Sequence, residues 1–257
     1  MAIQKVVIVG SGNVATHLAL AFKNSGLEIL GVYSRRAIHA QELANRLGAK
    51  TYSKISDIPK NADAYLFAVS DSALEELINQ FDSFAGIHFH TSGSIGLNVF
   101  SNPLMKAGVF YPLQTFSKEK AIDFSTIPLL LESTDETVLN ELHSLALKLS
   151  KTVKMIDSEQ RKQLHLAAVF ACNFSNYMLF IASELLKENN LDFELLKPLI
   201  KETIEKLDRL SPAEAQTGPA IRKDWPTIEN QINQLSEHSD YQQIYRLLSN
   251  HIMKLKS

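Results

Sequence analysis

The alternation of hydrophobic and polar positions along the chain changes character once, near residue 157. Before that point short apolar runs alternate with stretches of helical spacing. Lys5–Gly10 (KVVIVG) is apolar almost throughout, as a strand buried on both faces must be. Asn13–Gly26 repeats apolar residues at helical intervals and ends in Gly26, a C-cap signal. Glu28–Arg36 reads as a second strand and Ala37–Ala49 as a second helix. Ala62–Asp71 reads as a strand near the middle of a sheet, with a short helix at Ser72–Phe81. Ile87–Gly93, Gly108–Phe116, Ile127–Ser133 and Thr152–Asp157 complete the strands. This alternation predicts right-handed crossovers and a doubly wound, mostly parallel sheet.

After Asp157 the strand patterns stop. Helical spacing covers Glu159–Glu188, Asp192–Leu210, Pro219–Leu235 and Ser239–Leu255. Pro198 and Pro226 are expected to kink or restart two of these helices. The expectation is an α/β domain over 1–156 followed by an all-helical domain over 157–257.

Charge narrows the partners. The formal net charge is −2, and acids and bases nearly balance in both halves of the chain. Neither nucleic acid nor an anionic membrane suits such a surface. The chain has one cysteine, Cys172, which reads as buried filler in an apolar helix. No internal disulfide can form, which fits a reducing, cytoplasmic setting. No charged-then-apolar signal peptide opens the chain. Leu164–Leu186 is long enough to span a bilayer, but His165, Asn173, Asn176 and Glu184 interrupt it, so no membrane span is expected.

Candidate chemistry begins at the first strand end. Gly10, Gly12 and Ala15 form a G-x-G-x-x-A arrangement between a strand and a helix. The glycines allow a tight turn and close approach to a pyrophosphate, and the helix N-terminus offers free N–H groups. In this context the motif predicts a Rossmann dinucleotide site, with Gly10, Ser11, Gly12, Asn13 and Val14 as its cradle. NAD-binding proteins usually carry an acid at the end of the second strand. Here the residues are Ser34, Arg35 and Arg36. Arginine pairs bidentately with a phosphate, so NADP (NADPH) is favoured over NAD. The next two strand ends, with Ala68, Val69 and Ser70, then Thr91, Ser92 and Gly93, are expected to line the ribose and nicotinamide.

The helix that opens the second part carries polar residues on an apolar background. Projected at about 100° per residue, Asn176, Lys162 and Asn173 fall within roughly 80° of His165. Such a stripe fits the wall of a cleft, although a satisfied polar network or a polar partner helix would explain it too. His165, Lys162 and Tyr111 are the candidates for proton transfer, His165 first because imidazole titrates near neutrality. Asn173 would orient a carbonyl, imine or carboxamide. Tyr111, Gln114 and Asn176 are candidate substrate contacts. So are Thr217 and Arg222, with Pro219 expected to open a helix beside them and leave N–H groups free for an anionic group. No metal site is expected: His88 and His90 share one strand face without a third ligand, and no metal-binding spacing occurs. Ser92 and Ser94 lack a nucleophile-elbow motif.

Taken together, GSGNVATHLA, SRR, HTSGS, YPLQTF, HLAAVFACNFSNYM and TGPAIRKD resemble the bacterial Rossmann-like NADP oxidoreductases that carry a C-terminal helical domain of unknown function. More distantly the layout resembles pyrroline-5-carboxylate reductase and the 6-phosphogluconate dehydrogenase-like superfamily. The resemblance implies a C-terminal domain like that of 6-phosphogluconate dehydrogenase, a homodimer formed through it, and an active site between nicotinamide and the long helix. Where the nearer family often has histidine at the start of the YPLQTF strand, this chain has Tyr111. A lysine on the long helix is catalytic in hydroxyacid dehydrogenase relatives, and Lys162 is its candidate counterpart. The expected function is NADP(H)-dependent hydride transfer to or from a small carbonyl or imine compound in a cleft between the domains. The alternatives are a non-catalytic NADP-binding sensor or assembly protein, and NADP–flavin or deazaflavin electron transfer.

Overall fold

In the computed structural model, which describes residues 2–255, the first part of the chain forms an eight-stranded sheet in the order β3-β2-β1-β4-β5-β6-β7-β8. The strands are β1 (Lys5–Val9), β2 (Glu28–Tyr33), β3 (Lys50–Tyr52), β4 (Ala64–Phe67), β5 (Ile87–His90), β6 (Lys106–Pro112), β7 (Leu129–Glu132) and β8 (Val153–Met155). All neighbours pair in parallel except β6 and β7. Helices α1 (Asn13–Asn24), α2 (Ala37–Leu47), α3 (Asp71–Asn79) and α4 (Glu136–Leu147) cover the sheet.

The central strands show why the pattern is apolar. Val6 to Val9 and Ala64 to Phe67 are at most 1% exposed. Alternate residues feed two cores. Val6, Ile8, Ala64 and Leu66 pack with Leu18, Phe22, Phe89 and Phe110 on one face. Val7, Val9, Tyr65 and Phe67 pack with Leu74, Ile78 and Phe81 on the other. Each such side chain contributes about 1.5–3 kcal/mol by burial, which holds the sheet that carries the loops at its carboxyl edge. The reversal of strand order lies between β1 and β4, so the crevice at their carboxyl ends is where this fold places ligands.

Beyond β8 the chain is helical. Asp157 caps α5 (Ser158–Ala168) with a capping box closed by Gln160. A π-helical segment, Val169–Phe174, links it to α6 (Ser175–Glu188). The remaining helices are α7 (Lys197–Glu205), α8 (Pro212–Ala215), α9 (Trp225–Gln234) and α10 (Ser239–Ile252). Pro198 and Pro226 occupy first-turn positions of α7 and α9, where a missing N–H costs nothing.

The chain divides into two compact units, Met1–Cys172 and Asn173–Ser257. The pattern change at Asp157 marks the start of α5, not this division. The second unit has its own small core of Ala220, Ile228, Ile232 and Met253. Gln242 Nε2 donates to Ile232 O at 2.7 Å, tying α10 to α9.

Three expectations need correction. Pro219 does not open a helix. Lys223 takes a left-handed φ of 57°, and Asp224 then caps α9, accepting from Thr227 N at 3.3 Å. Arg222 therefore sits in a turn ahead of α9. Cys172 is exposed, because the helix that carries it is exposed. From Ser158 to Glu188 this helix is long and apolar enough to cross a membrane by length and composition alone, yet little of it is buried. Finally, β3 and α4 fall in stretches that the periodicity reading leaves unassigned.

Candidate active site

The site is a cleft of about 510 Å³ over the carboxyl edge of the sheet, lined only by residues of the first unit. It starts at the turn between β1 and α1. Gly10 has φ +127°, and a Cβ there would lie 2.1 Å from Ala68 O, so no larger residue fits. Its N–H donates to Tyr33 O at 2.8 Å, which fixes the turn to β2. Gly12 is the reverse case. A Cβ on it would meet nothing within 4 Å, so its lack of a side chain leaves open space. Gly12 also caps α1 with no side-chain acceptor, and the first turn holds no acid. The free amides of Asn13 and Val14 and the helix dipole thus face an uncrowded space, the arrangement that binds a phosphate.

Next to this cradle Ser11 Oγ donates to Ser34 Oγ at 2.9 Å, joining the glycine turn to the end of β2. Ser34 and Arg35 line the cleft. Arg36 does not: it is the N-cap of α2, and its carbonyl accepts from the N–H groups of His39 and Ala40. Ala68, Val69 and Ser70 line the wall above β4 and α3, and Thr91, Ser92 and Gly93 the wall beyond β5. A dinucleotide fits this donor set, because the cradle has space, free amides and the Arg35 cation nearby, although Asp71 at the start of α3 also lines the cleft.

Tyr111, Gln114 and His165 line the cleft as well. Tyr111 Oη and His165 Nδ1 are hydrogen-bonded at 3.0 Å, with the rings edge to face. Burial raises the Tyr111 pKa, opposed in part by the Arg161 charge, so the phenol keeps its proton at neutral pH. His165 also touches Gly93: a Cβ there would lie 2.6 Å from the imidazole Cγ and Nδ1. The glycine of the third strand end is thus required by a side chain of α5, a constraint that reading it as a cofactor contact does not reveal.

Two buried groups that sequence reasoning left out of the site stand behind this contact. His90 Nδ1 accepts from Ser92 N at 3.1 Å and its ring stacks on Phe100. Burial, with the Arg161 charge, lowers its pKa to about 3, so it is neutral. Arg161 is fully buried and paired with Glu132. No motif marks either residue, although an arginine on the apolar side of a predicted helix is itself a signal.

Lys162 is not brought to the cleft; it pairs with Glu159 at 2.7 Å. Asn173, Asn176, Thr217 and Arg222 belong to the second unit, where all four are exposed. Among the described residues no group of three or more His, Cys, Asp or Glu side chains is placed to hold a metal ion.

Fold and cleft together define a protein of the Rossmann nucleotide-binding class. The sequence matches a Rossmann-like domain over residues 1–115 and the domain of unknown function DUF2520 over residues 127–252. No curated protein matches it. Among solved structures it is similar to a Bacteroides fragilis protein named "putative NADP oxidoreductase", with 42% identity, 98% of each chain covered and a TM-score of 0.94. A Thermotoga maritima protein shares 21% identity over 97% of this chain and 98% of its own, with a TM-score of 0.81. Pyrroline-5-carboxylate reductase from Coxiella burnetii shares the fold at 15% identity over 98% of each chain, with a TM-score of 0.58. The chain belongs to the family of Rossmann-like proteins that carry the DUF2520 domain.

Proposed function

We propose that the protein is an NADP(H)-dependent oxidoreductase that moves hydride to or from a small carbonyl or imine compound. One observation supports this most: a single cleft holds both a phosphate-ready helix start and a hydrogen-bonded phenol–imidazole pair. Ser34 follows β2 and Tyr111 lies on β6, four strand spacings apart in the sheet, or roughly 19 Å at about 4.8 Å per strand. That separation suits an extended dinucleotide, read here with the adenosine 2′-phosphate by Ser34 and Arg35, the pyrophosphate on Gly12, Asn13 and Val14, and the nicotinamide by Thr91, Ser92 and Gly93.

Bound there, the nicotinamide supplies or accepts the hydride. The chain provides the proton. Tyr111 Oη and His165 Nδ1 share a hydrogen bond; with the phenol as donor, the Nε2 proton passes to a substrate oxygen or nitrogen as the phenol proton moves to Nδ1, and solvent returns a proton to the phenolate afterwards. Gln114, also in the lining, orients the acceptor. We assign no role to Lys162, whose amine is engaged by Glu159. The name of the 42%-identical relative favours the same cofactor.

The test is binding followed by turnover. Wild-type protein should bind NADPH more tightly than NADH. Arg35→Ala/Arg36→Ala should weaken NADPH by about tenfold or more, the scale of one lost charge-assisted contact, and leave NADH little changed. An unchanged NADPH dissociation constant would reject the assignment. Binding without turnover on any carbonyl, imine or flavin acceptor would instead favour a sensor.

We propose further that the protein is a homodimer through the exposed apolar helix. Leu164, Leu166, Phe170, Tyr177 and Phe180 are 37–63% exposed along it, an apolar run that a soluble chain covers with a partner.

A further inference from the structure

Arg161 heads the largest fully buried side chains of the protein. A guanidinium out of water costs several kcal/mol unless every side of it is bonded. Charge pairing with Glu132 alone would answer only part of that cost. The remaining bonds are specific: Nε donates to Ser92 O at 3.1 Å, and a terminal nitrogen donates to Ile95 O at 2.6 Å and to Ser158 Oγ at 3.4 Å. Two of its acceptors are thus carbonyls at either end of the Ser92–Ile95 turn. The inner amides of that turn are held by Ser92 Oγ, which accepts from Ser94 N and Ile95 N at 3.1 and 3.0 Å. The carbonyl side is held by Arg161.

Gly93 lies inside this turn, and His165 lies one helical turn beyond Arg161 on α5. The same helix therefore grips the turn twice, with a guanidinium on its carbonyls and an imidazole on its glycine. Ser158 extends the grip: its Oγ accepts from Leu97 N at 3.0 Å and donates to Glu132 at 2.8 Å. Glu132 ends β7, so the assembly ties α5 to the sheet as well as to the turn.

We propose that Arg161 is a positioning residue for the proton-transfer end of the cleft. It fixes the Ser92–Ile95 turn so that Gly93 receives the His165 ring and His165 keeps its bond to Tyr111. The proposal rests on the reading of the cleft as an NADP(H) site. It differs from a general stabilising role in what it leaves untouched: Ser34 and Arg35 do not depend on Arg161, so recognition of the adenosine half should survive its loss.

The experiment compares wild type with Arg161→Met and Arg161→Lys. Calorimetry measures two probes, NADPH and adenosine 2′,5′-bisphosphate. A ¹³C-histidine-labelled sample gives the NOE between the His165 ring and the Gly93 Hα protons. In Arg161→Met, NADPH should weaken by about tenfold or more, adenosine 2′,5′-bisphosphate should stay within about twofold, and the NOE should vanish. Arg161→Lys keeps the charge but cannot span both carbonyls, so it should recover stability more than it recovers the NOE. Equal weakening of both probes in a folded variant would overturn the proposal in favour of a purely structural role. Unchanged NADPH binding with the NOE intact would overturn it too. If wild type binds neither probe, the cofactor reading fails, and the NOE still decides the positioning claim. If Arg161→Met does not fold, Arg161→Met/Glu132→Leu removes both charges at once, a change that proteins tolerate. That variant should show the same split between probes, and retention of the NOE in it would refute the idea.

Discussion

Gly93→Ala is the sharpest probe of the site, because the structure fixes what the added methyl meets. Its Cβ would lie 2.6 Å from Cγ and Nδ1 of His165 and 3.0 Å from the histidine Cβ. Carbon atoms rest at about 3.5–4.0 Å, so the ring must retreat by roughly 1 Å. The histidine Cβ is anchored on α5, which leaves rotation of the ring as the way out. That rotation carries Nδ1 off Tyr111 Oη, now 3.0 Å away. Overpacking costs about 1–3 kcal/mol and the lost hydrogen bond about 0.5–1.5 kcal/mol, together roughly 1.5–4.5 kcal/mol. Backbone strain adds nothing, since Gly93 is not among the glycines of positive φ. In a His165→Ala background the ring is gone and of these contacts only the tight one to the residue 165 Cβ at 3.0 Å remains, so the substitution should cost much less than in wild type. Urea unfolding of the four proteins of this double-mutant cycle, followed by circular dichroism, measures the coupling. Additivity within about 0.5 kcal/mol would refute the contact and the Tyr111–His165 geometry built on it.

The two glycines of the nucleotide turn should separate folding from binding. Gly10→Ala puts a methyl 2.1 Å from Ala68 O at φ +127° and should fail to give folded protein on expression, whereas Gly12→Ala meets no atom and should melt like wild type yet lose NADPH binding by calorimetry. Acid should unfold the protein through its buried histidines. His88 and His90 have pKa values lowered by burial to about 4 and about 3, below the ordinary 6.5, so the unfolded chain binds protons first. Their stabilisation is complete above pH 6.5 and is lost as pH falls toward 3–4, by up to about 1.4 kcal/mol per pH unit for each. His88→Phe, which keeps the stack on Tyr65, should flatten that slope in urea titrations between pH 6 and 4.5. His165→Ala should cut turnover on an accepted substrate by ~10²-fold with NADPH affinity little changed. Light scattering at micromolar concentration should report a dimer.

Much of the fold is legible in the sequence because burial on both faces leaves unbroken apolar runs. KVVIVG and AYLF announce β1 and β4, and every residue of β4 is buried. β3 is missed because three residues at the sheet edge carry no period. α4 is passed over although its signals are present: Asp135 caps it, and Val138, Leu142, Leu145 and Ala146 face the core at helical spacing. The glycine turn is legible too, since Gly10 and Gly12 act through local backbone chemistry, and Ser34 and Arg35 follow β2 onto the cleft wall. The Tyr111–His165 end of the cleft is legible only in its parts. His165 and Tyr111 each stand out, but their hydrogen bond joins positions 54 residues apart, and nothing local signals it. Arg161 is less visible still, because its partners Ser92, Ile95 and Glu132 are recruited from two different strand ends.

The polar stripe on the long helix shows how one assumption propagates. Placing Asn173 and Asn176 beside His165 takes every step from 165 to 176 as about 100°. Val169–Phe174 is π-helical, with bonds that span five residues instead of four, so each residue there turns the helix less. Over that segment the lag is on the order of 100°, the effect of one inserted residue. The lag moves Asn173 from about 80° to about −20° and Asn176 from about 20° to about −80°, so the simple projection does not decide their place relative to the cleft. Nor does it protect Lys162, which needs no π segment to leave the cleft, because Glu159 three residues earlier offers it a carboxylate at the surface. What survives is His165 alone, and it survives because two independent contacts fix it, the phenol of Tyr111 and the bare backbone of Gly93. A polar residue on an apolar helix is a candidate; a polar residue for which a neighbour has given up its side chain has a place it must occupy.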